Sequence, residues 1–219
     1  MVMNIGHIRL ARAKRGRCFF GAFAILMSAL GLLFNAHAAT ILEVGLGDML
    51  RDSELVFEGR ITQLEPRQDP QSKVIRTYVT FEILDVIKGN SATSAVEISF
   101  LGGSVNDMTL RVADMSLPKP GVTGIFFVES LTRQQVHPLY GWSQGHIAIV
   151  SDSRGVRRVM TNDERPITGI DPQKQRALPS RMLTTGTARG LLVGSAGRVS
   201  DAMTVEAFKL ALADLVAPN

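Results

Sequence analysis

Apolar and polar residues alternate most clearly between Thr77 and Ile87. Val79, Phe81, Ile83 and Ile87 fall on one face of an extended chain. Tyr78, Thr80, Glu82, Leu84 and Val86 fall on the other, because successive side chains of a strand point to opposite faces. Leu84 and Val86 make this second face apolar near the strand's end, which predicts cover on both sides there. Asp85 sits on the otherwise apolar face, either as a buried, hydrogen-bonded carboxylate or as the point where that face meets water, the commoner case. Lys88-Gly89-Asn90-Ser91 is a turn, since Gly and Asn tolerate positive φ and none of the four adds to a core. Val96, Ile98 and Phe100 alternate with Glu97 and Ser99 to give the partner strand, which Gly102-Gly103 ends.

The flanking segments read as additions to this pair. Leu42, Leu46, Met49 and Leu50 share a helical face within Ala39–Arg51, and Asp52-Ser53 ends that short helix. Leu55 to Leu64 is a strand with Leu55, Phe57 and Ile61 on one face, and Gly59 between them marks a bulge or sharp bend. Glu65 to Lys73, with Pro66 and Pro70, is a polar loop. Met108, Leu110 and Val112 suggest a short strand, and Leu117-Pro118-Lys119-Pro120-Gly121 a rigid turn. The apolar Gly124–Glu129 is a central strand. Gly145–Ser151 and Val156–Thr161 form a hairpin around Asp152-Ser153-Arg154-Gly155. Residues 162–203, rich in Arg, Gly, Thr and Pro, are expected to be a flexible loop. The chain closes with a helix over 204–216: Thr204 is its N-cap, and Phe208, Ala211, Leu212 and Leu215 form its apolar stripe.

The first 38 residues have the layout of a targeting segment. Arg9, Arg12, Lys14, Arg15 and Arg17 precede an uncharged apolar run from Cys18 to Phe34, and Ala36-His37-Ala38 supplies the small residues of a cleavage site. A signal peptide cleaved after Ala38 is the reading, with an uncleaved anchor as the alternative; the run of 17 residues is short for a bilayer span. The exported chain is then periplasmic or secreted and has no stable membrane insertion. Cleavage removes five of the 24 Lys and Arg and none of the 20 Asp and Glu, so the formal charge falls from +4 to −1. The basic pI therefore belongs to the signal and gives no nucleic-acid footprint. The single cysteine, Cys18, leaves too, taking with it any disulfide, thiol nucleophile or thiolate ligand.

Few motifs carry chemistry. Gly141-Trp142-Ser143-Gln144-Gly145 matches G-x-S-x-G, but a nucleophile elbow needs a helix after the serine and a histidine further on. Here the strand His146–Val150 follows, and the histidines of the exported chain are His137, upstream, and His146. GWSQG therefore reads as a turn into a strand with Trp142 as a packing anchor. His137 and His146 could hold a metal only with carboxylate help, and H-E-x-x-H is absent. The glycine-rich Gly190–Arg198 lacks the G-K-[ST] of a phosphate loop. Arg154, Arg157 and Arg158 read as a solvated hairpin tip. No catalytic, cofactor or metal residue is assigned.

The run Ser53-Glu54-Leu55-Val56-Phe57-Glu58-Gly59-Arg60-Ile61, followed by Val79 to Gly89, resembles small exported bacterial proteins of unassigned function. It is also similar to the opening of the netrin-like domain of tissue inhibitors of metalloproteases, an OB-type barrel in which a strand with a central glycine precedes a long strand ending in lysine-glycine. The resemblance spans residues 50–101 and implies a small β-barrel. Those inhibitors chelate zinc through an N-terminal cysteine, whereas the exported chain would begin Ala39-Thr40, so no site residue transfers.

The expected architecture is mainly β: an OB-like barrel or rolled antiparallel sheet of six to eight strands over 39–161, with the C-terminal α-helix packed on it. The expected function is an exported, non-enzymatic binding module without cofactor, acting on another envelope or secreted protein, possible targets including a protease. The alternatives are an envelope serine hydrolase using Ser143 with His137 or His146, and a structural or glycan-binding envelope component.

Overall fold

The computed structural model describes residues 41–113, 115–176, 183–184, 186–195 and 197–216. The expected signal peptide and the start at Ala39 lie outside them. The described residues form a mainly β structure of antiparallel sheets with a C-terminal helix.

Two small pairs, β1 (Ile41–Leu42) with β11 (Leu183–Thr184) and β5 (Gly103–Val105) with β6 (Met108–Leu110), form sheets of their own, and two long strands carry the main sheet. Strand β2 (Leu55–Gln68) and strand β3 (Ile75–Lys88) pair antiparallel along their whole length. β4 (Ala95–Leu101) adds to the outer side of β3, from Arg76 opposite Leu101 to Glu82 opposite Ala95. β7 (Thr123–Val128) pairs with β2, from Leu55 opposite Val128 to Arg60 opposite Thr123. β8 (His146–Ser151) and β9 (Arg157–Met160) complete a six-stranded sheet in the order β4-β3-β2-β7-β8-β9. Its outer strands do not pair with one another, so of the expected OB-like barrel or rolled antiparallel sheet the structure has the antiparallel sheet without a closed barrel. β7 is central, and five of its six residues are buried, because each of its faces meets a core.

Both faces of the sheet are covered. On the first lie helix α1 (Leu46–Asp52) and helix α2 (Val205–Val216). Leu46, Met49 and Leu50 of α1 and Val205, Phe208 and Leu212 of α2 meet Val56, Ile125, Phe127, Ile147 and Val159 from the sheet. Thr204 caps α2 as its sequence predicts: its Oγ1 accepts the Ala207 N–H at 3.1 Å. The second face holds Leu55, Phe57, Ile61, Val79, Phe81, Phe100, Phe126 and Val128, with Leu139 against them. Each fully buried phenyl ring here contributes roughly 2–3 kcal/mol by leaving water.

Three departures from the sequence pattern have clear causes. Strand β2 runs through Pro66, which was expected in a loop. Pairing with β7 stops at Arg60, so beyond it one side of β2 is an edge, where proline removes no ladder bond. Second, the register between β2 and β3 slips between Glu58–Asp85 and Gly59–Ile83, leaving Leu84 as the extra residue of a bulge beside Gly59. The bulge flips the parity for Asp85 and Val86, and a second slip, between Phe57–Val86 and Val56–Lys88, leaves Ile87 as another extra residue. Ile87 packs against the helix-side core instead of joining Val79, Phe81 and Ile83, and Leu84 and Val86 stay 48% and 38% exposed, uncovered. Third, residues 162–203, expected as a flexible loop, contain β10 (Ile167–Ile170) paired with β12 (Leu191–Val193). These strands are short and far apart in sequence, and only pairing gives their few apolar residues a place. The intervening residues 177–182 lie outside the described residues.

Charge ties the helix to the sheet. Glu58 is 2% exposed on the helix side of β2. Arg157 Nη1 and Lys209 Nζ each donate to one of its carboxylate oxygens. Arg157 also meets Glu206 at 2.6 Å, and Lys209 meets Asp85 at 2.9 Å. Burial opposes the charge on Lys209, but the Glu58 and Asp85 carboxylates outweigh it and hold its pKa above the ordinary lysine value. Asp85 is therefore the exposed carboxylate of the two sequence readings, now with a partner. Of the expected solvated arginine tip, Arg157 belongs to this network. Arg158 pairs with Asp152 at 3.1 Å and donates to the Ala202 carbonyl at 2.8 Å.

Candidate functional site

The G-x-S-x-G stretch folds as a tight turn. Gly141 (φ +63°) and Trp142 (φ +61°) both take left-handed backbone, and a 3-10 turn over Trp142–Gly145 runs straight into β8. The strained residue is thus Trp142 and not Ser143, and a strand follows where a nucleophile elbow has a helix. A Cβ on Gly141 would lie 2.7 Å from Val44 Cγ2, so that position needs glycine for space as well as for φ. The buried Gln144 holds the turn in place. Its Oε1 accepts the Val44 N–H at 3.0 Å, and its Nε2 donates to the carbonyls of Leu42 at 2.8 Å and Gly141 at 3.1 Å.

This turn walls a cavity of about 980 Å³ on the second face of the sheet. Phe81, Phe126, His146, Ala148 and Met160 come from the strands, Phe100 from β4, and Leu117 and Val122 from the preceding loop. His137, Leu139, Trp142 and Ser143 close another side. The three residues of the hydrolase alternative, Ser143, His137 and His146, therefore share one cavity.

Sheet register explains the space. Phe57, Phe126 and His146 are cross-strand neighbours, and Gly59, Gly124 and Ala148 form the next row. The Phe57 ring leans over Gly59, where a Cβ would meet its Cε2 at 2.6 Å, and the His146 ring leans over Gly124, where a Cβ would meet Nε2 at 2.6 Å. With glycine, glycine and alanine in that row, the rings lie down and the volume above them stays open. Gly124→Ala is expected to destabilise the protein by about 1–3 kcal/mol, because its Cβ would also meet the Ile147 carbonyl oxygen at 2.8 Å. A thermal melt unchanged by this substitution would contradict the arrangement.

Both histidines are built into the aromatic packing. His146 stacks on Phe126, with centroids 4.7 Å apart and planes at 7°. Its Nδ1 is 3.1 Å from Asn162 Oδ1, and its Nε2 is buried without a hydrogen-bond partner. His137 stacks on Trp142 at 5.5 Å and meets Phe100 edge-on at 5.1 Å. Its Nδ1 accepts the Leu139 N–H at 3.3 Å. Burial lowers the pKa of each to about 4, so both rings are neutral at neutral pH. Among the described residues no hydrogen bond joins Ser143 to either histidine. A general base needs a nitrogen facing the hydroxyl; those of His146 face Asn162 and Gly124 instead.

Sequence reading singled out Trp142, Ser143, His137 and His146 but missed the cavity they share. Its other walls come from β3, β4, β7 and the loop before β7, and only strand register brings these together. Among the described residues no group of three or more His, Cys, Asp and Glu could hold a metal ion. No described helix is long and apolar enough to cross a membrane. No protein-family model, curated protein or solved structure matches this chain.

Proposed function

We propose that the chain is an exported, non-enzymatic binding module that acts on another envelope or secreted protein and grips it through the aromatic-walled cavity. The supporting observation is the use of the two histidines. They serve as rings in the cavity wall, stacked on Phe126 and Trp142, with both His146 nitrogens turned to Asn162 and Gly124 and His137 Nδ1 turned to the backbone. A wall of neutral rings is suited to holding a ligand, as small-ligand sites are mostly apolar with a few placed polar groups. The targeting layout of residues 1–38 supports export. The β2–β3 hairpin, with Gly59 inside β2, is the part that resembles the netrin-like group, whose members bind other proteins.

The rival reading is a serine hydrolase using Ser143, which the shared cavity keeps in play. A fluorophosphonate probe separates the two. The expected result is no stoichiometric labelling of the exported protein. Labelling at one site per chain that disappears in Ser143→Ala would overturn the binding-module reading.

A further inference from the structure

We propose that the group held in the cavity is an uncharged planar aromatic ring, stacked in line with the Trp142–His137 pair. This rests on the reading of the cavity as the binding site and names the chemistry of its ligand. The walls are rings on several sides: Phe81, Phe100, Phe126, Trp142 and the two histidines. Offset and edge-on contacts between rings contribute about 0.5–1.5 kcal/mol each beyond the area they bury. The volume of about 980 Å³ lies within the range of small-ligand sites.

Trp142 supplies an independent observation. A bulky residue at φ +61° is an outlier that persists only when its surroundings hold it, and the three Gln144 hydrogen bonds do so. Packing alone does not require a tryptophan at a strained position on the wall of an open cavity. Trp142 carries His137 on one ring face and lines the cavity, and an outlier held there is a candidate for function. The ionisable side chains Lys119 and Glu164 also line the cavity, but both are solvent-exposed. The buried walls therefore offer no counter-charge to an ionised ligand, and burying an unpaired charge is costly.

Trp142 is the only tryptophan in the chain, so it reports directly. The protein, purified as its host exports it, is titrated with N-phenyl-1-naphthylamine, an uncharged ring probe. Saturable one-to-one quenching of Trp142 emission is expected. Affinity should fall at least tenfold in Ala148→Phe, whose added ring fills the floor of the cavity. It should fall likewise in Trp142→Leu, read from the probe's own emission, which carries the test if Ala148→Phe does not fold. Displacement by 2-naphthol would place the natural ring on a free small molecule, and displacement by N-acetyl-tryptophanamide alone on a partner's side chain; either supports the proposal. Absence of saturable binding, equal affinity in both variants, or equally strong displacement by octan-1-ol would overturn it. A partner protein captured normally while the probe fails to bind would remove this inference and leave the binding-module reading standing.

Discussion

Glu58→Gln is expected to lower stability by about 3 kcal/mol, the lower end of the cost of breaking a buried ion pair from one side. Glu58 is almost fully buried and receives Arg157 and Lys209 on separate oxygens. A neutral amide leaves two cations beside a site that water reaches poorly. The cost stays at the low end because Arg157 retains Glu206 and Lys209 retains Asp85. For a domain of this size, the midpoint of thermal unfolding should fall by roughly 6–12 °C. The asymmetry is a sharper check than the single value. Glu58→Met combined with Lys209→Met should cost less than Glu58→Met alone, because the second change removes a stranded charge. A Glu58→Gln melt within a degree of the parent would show that the network does not hold α2 to the sheet.

The second large effect is acid lability above the range where carboxylates titrate. His137 and His146 titrate at about 4 in the folded protein and near 6.5 when unfolded. Between these values the unfolded chain binds more protons, so stability falls as pH drops through 6.5 and the loss is complete below about 4. Each histidine should remove about 2 kcal/mol between pH 7 and pH 5. Asp52 beside Arg51, Asp171 beside Lys174 and Glu206, held by a backbone N–H and Arg157, have lowered pKa values, and their contributions are lost as pH falls from the ordinary carboxylate value through the lowered one. His146→Phe keeps a ring on Phe126 and removes one proton site. It should shrink the loss between pH 7 and pH 5 by about half, and adding His137→Phe should remove most of the remainder. Denaturant unfolding at the two pH values measures this. An equal loss in parent and double variant would show that the rings are not buried neutral.

Alternation placed β3, β4 and the β8–β9 hairpin, because each has one face against a core, and an unbroken apolar run placed β7, which has a core on both faces. It failed where a single inserted residue changes parity. Leu84 bulges out beside Gly59 and turns Asp85 toward the helix side, and a second slip leaves Ile87 as an extra residue packed against the helix-side core. Glu58 reads as a solvent-facing position between Phe57 and Gly59, and nothing local shows that Arg157 and Lys209 arrive from later in the chain. Gly59 announced the bulge, but its pairing with Gly124, on which the cavity depends, is a property of register. The paired β10 and β12 were hidden for the same reason: each is too short to show a period, and the partner lies about twenty residues away.

Capture from the native envelope and culture fluid with the tagged protein, run beside Trp142→Leu and Ala148→Phe, tests the cavity as the binding site most directly. One dominant protein partner is expected with the parent, and its loss with both cavity variants while their folds persist. Capture that is indifferent to both substitutions would place binding elsewhere on the molecule and contradict the cavity as the site.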